Sequence, residues 1–215
     1  MFTPFSNSVY ARLFIAQIVA LLGTGLTTVA LALLAYELAG GDAGRVLGTA
    51  LAIKMVAYVV LAPIAGGLPD RVPRKQFLIG LDLARAGFVA CLPFVSEIWQ
   101  IYALILLMQA CSAGFTPTFQ ATIPDVLKEE AEYTKALSLS RLAYDIESLL
   151  SPTLAATALL LVSFNTLFAV NAISFLISAA LVFSVTLPVV AKSQGIEGGF
   201  FERTTRGIRY YLARV

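Results

Sequence analysis

The sequence has no histidine, two cysteines and few charged residues, and each shortage excludes a class of function. Without histidine, imidazole metal ligands and imidazole proton shuttles are excluded from this chain. Cys91 and Cys111 both lie in apolar stretches, so we interpret them as packing residues rather than as disulfide or metal-binding cysteines. The serines stand singly among apolar residues, which argues against an intramembrane enzyme because a nucleophile needs a neighbouring base. No phosphate-binding loop or iron-sulfur spacing is present, and we expect no cofactor, no bound metal and no nucleic-acid partner.

Apolar residues dominate what remains. Hydrophobic residues make up 59% of the chain, charged residues 13%, and the mean hydropathy is +0.84, more than a water-soluble core requires. A helix of about 20 apolar residues crosses a bilayer core of about 30 Å while satisfying its own backbone hydrogen bonds. We therefore predict an all-α membrane domain over residues 1–188, with six transmembrane helices at approximately 11–38, 46–68, 77–95, 98–119, 136–162 and 167–187.

Basic residues are unevenly distributed among the segments that connect these spans. With a cytoplasmic amino terminus, twelve basic residues lie at cytoplasmic ends and only Arg45 lies outside. This is a strong positive-inside bias, so we predict that both ends of the chain are cytoplasmic. Residues 189–215 form a basic cytoplasmic linker, for which a surface helix on anionic headgroups and a solvated segment are both open interpretations.

A basic turn between the second and third spans carries a resemblance to a known family. It has a glycine, an Asp-Arg pair four residues later and two further basic residues: Gly66, Asp70, Arg71, Arg74 and Lys75. This turn resembles motif A of the major facilitator superfamily, although Pro73 stands where that family usually has glycine. The resemblance implies a six-helix bundle with a 3+3 inverted repeat, forming the amino-terminal half of a 12-helix transporter.

The resemblance also implies a role for the charges of the turn. In the family the equivalent of Asp70 bridges to the carboxy-terminal half, so that the motif acts as a conformational latch; charges that only fix topology are the alternative interpretation. The rest of the chain is most similar to the branch of enterobactin exporters, macrolide efflux pumps and nickel-resistance permeases. Two family motifs are degraded: Leu106 replaces the arginine of motif B, and motif C survives only as the small residues and proline of 151–156.

Polar side chains within the predicted spans are candidates for the transport pathway, because each charge there costs about 2.5 to 3.5 kcal/mol on insertion. Lys54 lies within the second span, and Tyr58 follows one turn later on the same face. Gln17 and Gln109 are uncharged candidates in the first and fourth spans, together with Thr24, Thr27, Thr28 and Ser112. A buried charge pair is the alternative for Lys54, and interhelical hydrogen bonds are the alternative for the uncharged residues.

The remaining intramembrane charges fall into local pairs and proton-carrier candidates. Asp82 and Arg85 are three residues apart and Arg141 and Asp145 four apart, the spacings of helix neighbours, so we interpret Asp82, Arg85 and Arg141 as structural charge pairs. Asp145 and Glu147 are also candidates to carry a proton, because a carboxyl group in a cavity that opens alternately can exchange one. The alternative is a permanent pair with Lys54 or Arg141.

Secondary active export of a small drug-like or siderophore-like molecule, driven by protons and working by alternating access, is the function that the resemblance implies. The expected partners are membrane lipid, the substrate, and a carboxy-terminal six-helix half or a second copy, in a bacterial-type cytoplasmic membrane. A divalent-metal exporter is one alternative, which the absence of histidine opposes. A non-transporting component or a truncated fragment is another, and an in-frame continuation past Val215 into six further spans would favour the fragment.

Overall fold

The computed structural model describes residues 3–65 and 73–188. For residues 62–65 it describes the backbone alone. The described residues form no β-strand and six α-helices: α1 (Ser8–Ala39), α2 (Ala43–Ala65), α3 (Arg74–Cys91), α4 (Ile98–Val126), α5 (Glu130–Leu159) and α6 (Phe164–Ser184). Short 3-10 turns lie at Thr3–Ser6, Gly40–Asp42 and Leu92–Phe94. The predicted all-helical class is confirmed for this part of the chain, and each predicted span overlaps one helix.

Four stretches of the described residues are long and apolar enough to cross a membrane: Ser8–Leu61, Arg74–Phe94, Ile98–Val126 and Phe164–Ser184. The protein is therefore a multi-pass membrane protein. Helix α5 is not among these stretches, and it carries Arg141, Asp145 and Glu147 along its middle.

The first of these stretches contains two helices that pack against each other. A straight helix of its 54 residues would be about 80 Å long, more than twice the thickness of a bilayer core. Gly40 ends α1 with φ of 53°, a conformation that glycine adopts without steric cost. The chain then turns back, because Leu34 of α1 and Val46 of α2 belong to one core cluster.

The core of the bundle consists of two apolar clusters. One joins α1, from Ala20 onward, to α2, α3, α4, α5 and α6, and includes Leu34, Ile101 and Phe168. The other joins the amino-terminal end of α1 to α3, α4, α5 and α6, and includes Tyr10 and Ile123. The candidate site borders the first cluster, because Leu31, Ile105 and Phe175 belong to that cluster and also line the site.

Two glycines bring α1 close to its neighbours. At Gly23, an added Cβ would overlap the side chains of Asn171 and Ser174 on α6. At Gly25, it would overlap the side chain of Ser151 and approach the Glu147 carboxylate, both on α5. Small residues at such crossings are typical of membrane helices. In lipid the hydrophobic effect does not drive helices together, so close van der Waals packing stabilises their association instead.

Candidate functional site

A small cleft of about 50 Å³ lies between α1, α2, α4 and α6, with room for a few water molecules or for one group of a larger ligand. Its polar wall consists of Thr24, Thr27, Thr28, Lys54, Gln109 and Ser112, and its apolar wall of Leu31, Ala50, Leu51, Ile105, Met108 and Phe175. The structure thus brings the predicted pathway residues Lys54 and Gln109 to one cavity. We refer to this cleft below as the central cavity.

Hydroxyl groups in the cavity wall donate to the backbone of their own helices. Thr24 Oγ1 donates to the Ala20 carbonyl at 2.9 Å, and Ser112 Oγ donates to the Met108 carbonyl at 3.0 Å. Thr28 Oγ1 donates to the Thr24 carbonyl at 3.3 Å. Each hydroxyl has only one hydrogen, so what these groups offer to a ligand is oxygen lone pairs.

Gln109 differs from these hydroxyls because its amide is uncommitted. Its side chain is 9% exposed, lines the cavity and makes no hydrogen bond to any residue in 3–65 or 73–188. Its amide atoms are not among the buried polar atoms that lack a partner, so they are open to the cavity, where water or a ligand can bind them.

Glu147 approaches α1 from α5. Its Oε1 accepts a hydrogen bond from Ser151 Oγ at 3.0 Å and lies against Gly25 of α1. The ammonium of Lys54 on α2 acts electrostatically on this carboxylate, although the two do not form a direct ion pair. Charges of opposite sign therefore approach α1 from two different helices.

The other carboxylate candidate of α5 lies on the outer face of the bundle. Asp145 Oδ1 is 3.4 Å from Arg141 Nε, and the two side chains are 55% and 79% exposed. Tyr58, on α2, is also on an exposed surface and interacts electrostatically with Tyr144 of α5. Neither Asp145 nor Tyr58 lines the central cavity.

Gln17 lies at a helix interface rather than in the cavity wall. Its Oε1 accepts a hydrogen bond from Ser140 Oγ at 2.9 Å, and its Nε2 donates to the Ser140 carbonyl at 3.5 Å. Both side chains are buried between α1 and α5. The contact is of the interhelical kind, and a transport role for Gln17 stays a prediction.

The pair formed by Asp82 and Arg85 is buried directly behind the cavity wall. Arg85 Nη2 donates to Asp82 Oδ1, and Ser178 Oγ of α6 donates to Asp82 Oδ2 at 2.7 Å. The guanidinium lies between the rings of Phe115 and Phe175, at 4.2 and 4.4 Å from their centroids. Since Phe175 also lines the cavity, its ring separates Arg85 from the open space.

The basic turn is described only from Pro73 onward. Arg74 Nη1 donates to Asp125 near the end of α4 and to the Ala121 carbonyl at 2.9 Å. Lys75 Nζ lies 5.1 Å from the centroid of the Phe183 ring on α6. Gly66, Asp70 and Arg71 are outside the described residues, so the latch stays a prediction.

Sequence reasoning missed several polar residues that connect different helices: Asp125, Ser140, Tyr144, Asn171 and Ser178. Asn171 is fully buried in α6, where its Nδ2 donates to Thr27 Oγ1 at 2.6 Å. The signal for such residues is a single amide or hydroxyl within an apolar run. That signal marks the residue without indicating its partner on another helix.

Carboxylates and cysteines form no metal-binding cluster in the part of the chain that the structure describes. No group of three or more metal-binding side chains in residues 3–65 and 73–188 could hold a metal ion. Asp82, Asp125 and Glu147 each accept from a side chain beside them. These carboxylates therefore serve helix contacts here.

A bundle of apolar helices surrounds this small cleft, whose wall is mainly apolar and carries a few polar groups. The sequence model described as Major Facilitator Superfamily matches residues 13–213. The chain therefore belongs to the major facilitator superfamily, a family of transporters rather than of enzymes, as the basic turn predicted.

Similar proteins from bacteria support the same family. Over 125 residues the chain is 31% identical to the uncharacterized MFS-type transporter YfiS of Bacillus subtilis (strain 168), covering 58% of this chain and 30% of that protein. It is 25% identical to macrolide efflux protein A of Enterococcus faecalis, covering 75% and 53%, and 25% identical to that of Streptococcus pyogenes, covering 89% and 48%. The chain thus spans about half, or less, of the length of these relatives.

Proposed function

We propose that this chain is the amino-terminal six-span half of a proton-coupled exporter that moves a small molecule by alternating access across a bacterial cytoplasmic membrane. The observation that carries the proposal is the central cavity, whose wall holds an intramembrane lysine and an unpartnered amide. Lys54 and Gln109 are costly in a helix bundle that only packs, and useful in one that binds a ligand. Two relatives have macrolide efflux in their names, which supports export of a drug-like molecule.

Six crossings require α1 and α2 to span separately and α5 to span despite its charges. The turn at Gly40 supports the first requirement, because it separates two helices that each exceed 20 residues. Helix α5 has 30 residues, about 45 Å of helix, which exceeds the bilayer core. Ser140 and Ser151 face α1, where they are buried and hydrogen-bonded. An even number of crossings leaves both ends on the same side of the membrane, and the positive-inside bias favours the cytoplasmic side.

A second six-helix half completes the transporter in this proposal. Apolar side chains project from α2 and α5: Met55 is 68% exposed, Val59 69% and Leu149 76%. The charged pair of Arg141 and Asp145 shares the exposed surface of α5 and is poorly suited to lipid, so it favours a protein neighbour. The neighbour is the rest of the same polypeptide or a second copy.

Glu147 is the proposed proton carrier. It lies between the cavity-lining helix α1 and the exposed side of α5, and its hydrogen-bond partner is the neutral Ser151 rather than an arginine. Asp145, in contrast, is paired with Arg141. A carboxylate with a neutral partner near the cavity can release and take up a proton as the cavity opens to each side.

Glu147→Gln is expected to reduce substrate-driven proton flux to the level of empty liposomes, because glutamine keeps the shape and the bond to Ser151 but cannot titrate. The chain, with any in-frame continuation past Val215, is reconstituted in proteoliposomes under an imposed pH gradient. Flux is recorded with a panel of macrolides, other hydrophobic antibiotics and siderophores. Binding of the transported compound is expected to persist in the variant.

Asp145→Asn is the matched control, since it also removes one carboxylate of α5 but is exposed and paired with Arg141. We expect it to retain flux. Full proton flux in Glu147→Gln together with loss of proton flux in Asp145→Asn would identify Asp145, and not Glu147, as the proton carrier. Substrate export without any proton flux would contradict proton coupling itself.

A further inference from the structure

The wall of the central cavity has a charge of one sign. Lys54 is its single charged side chain among the described residues, and no aspartate or glutamate lines it. The Lys54 ammonium makes no direct ion pair within the described ranges, and Glu147, which acts on it, is hydrogen-bonded to Ser151 outside the wall. Within residues 3–65 and 73–188, the cavity therefore contains a positive charge that has no direct ion-pair partner.

The charge behind the wall does not change this sign. Arg85 lies beyond the Phe175 ring, but its guanidinium is paired with the Asp82 carboxylate. A paired charge contributes little field at a distance, whereas an isolated ammonium at membrane depth acts through a low dielectric. Among the described residues, Lys54 is thus the charged group that a ligand meets in the cavity wall.

The uncharged part of the wall indicates what else the ligand carries. The hydroxyl hydrogens of Thr24, Thr28 and Ser112 are directed to their own helix carbonyls, so these groups accept hydrogen bonds from a ligand. Gln109 can accept one bond and donate another. Leu31, Ile105 and Phe175 provide the apolar contact.

We propose that the central cavity binds the head of an amphiphilic organic anion, with its acidic group on Lys54, hydroxyl or N–H donors on the threonine and serine oxygens, and the start of its apolar body against the aliphatic wall. This inference rests on the proposed function and specifies the charge class of its substrate. A charge-assisted bond between an ammonium and a carboxylate is among the strongest that a small ligand makes. A lipophilic cation would be repelled by the Lys54 ammonium, and no carboxylate of the described wall would pair with the charge of that cation.

Three probes of equal length and apolar body test the sign of this preference: pyrenebutyric acid, pyrenebutanol and pyrenebutylamine. The shift in thermal unfolding of the purified full chain in detergent is titrated with each probe. We expect the acid to bind about tenfold more tightly than the alcohol, the gain typical of one hydrogen bond to a charged group, and the amine to bind most weakly. Partition of the probes into micelles is the same for all variants, so differences between variants report the site.

Lys54→Gln is expected to abolish the tenfold preference, Lys54→Arg to restore most of it, and the matched control Lys128→Gln, outside the cavity wall, to leave it unchanged. Glu147→Gln is expected to strengthen acid binding, because it removes a competing negative charge. Equal binding of the three probes, tighter binding of the amine, or a preference that survives Lys54→Gln would overturn the inference while leaving a ligand cavity in place. Saturable binding of none of the probes would overturn both the inference and the cavity on which the proposed function depends.

Discussion

Asp82→Ala is expected to lower the free energy of unfolding by about 3 to 5 kcal/mol, the cost of leaving a buried charge without its partner. The Arg85 guanidinium would then lie between two phenylalanine rings with no carboxylate beside it. Ser178 would also lose the acceptor of its hydroxyl hydrogen. The measurement is reversible unfolding of the purified protein in mixed micelles, followed by circular dichroism against increasing sodium dodecyl sulfate.

A double variant and a control separate the charge from the packing at this position. Asp82→Leu with Arg85→Leu removes both charges together, so it is expected to destabilise less than Asp82→Ala alone. Asp145→Ala breaks the other intrahelical pair, whose members are largely exposed, and is expected to cost about 0.5 kcal/mol or less. An Asp82→Ala variant as stable as Asp145→Ala would contradict the account of the buried pair.

Gly25→Ala is the second large effect that we expect, a loss of about 1 to 3 kcal/mol from overpacking. The new methyl group would overlap the Ser151 side chain and come against the Glu147 carboxylate, so α1 and α5 would have to separate. The same unfolding titration measures the loss. Ser151→Gly introduced into the variant removes the opposing atoms and should recover part of the stability.

Gly87→Ala is the matched control for this substitution. Gly87 is an exposed residue of α3 with nothing within 4 Å of an added Cβ, so alanine there meets no neighbour and gains helix propensity of about 1 kcal/mol. We expect Gly87→Ala to equal or exceed the wild type in stability. Equal effects at the two glycines would contradict the close approach of α1 to α5.

The sequence was sufficient for the helical class and for the family, because hydropathy and the basic turn are local signals. It was less accurate for helix ends. Helix α4 continues to Val126, seven residues beyond the predicted end of its span at 119, even though it contains Pro117 and Pro124. Hydropathy reports where lipid ends rather than where the helix ends, and neighbouring elements stabilise the extension: Asn7 Nδ2 donates to the Val126 carbonyl at 3.3 Å.

Contacts between helices were the part that sequence could not supply. Helical spacing puts Asp82 within reach of Arg85 and Arg141 within reach of Asp145, and both pairs are in contact in the structure. It gives no register between one helix and another, so it could not place Ser178 on Asp82, 96 residues away. For the same reason Gln17 and Gln109 were equivalent candidates in the sequence, while in the structure only Gln109 reaches the cavity.

The account depends on alternating access of the central cavity. The most direct test is to introduce a single cysteine into the cavity wall and to measure from which side of the membrane it can be labelled. Thr28→Cys is introduced into a chain carrying Cys91→Ser and Cys111→Ala, with any in-frame continuation past Val215. Its reaction with a membrane-impermeant maleimide is measured in right-side-out and inverted vesicles, with Ser96→Cys as the control, which is expected to react from outside only. The account predicts that Thr28→Cys reacts from both sides and that a transported compound changes the ratio; reaction from one side alone, with or without that compound, would contradict it.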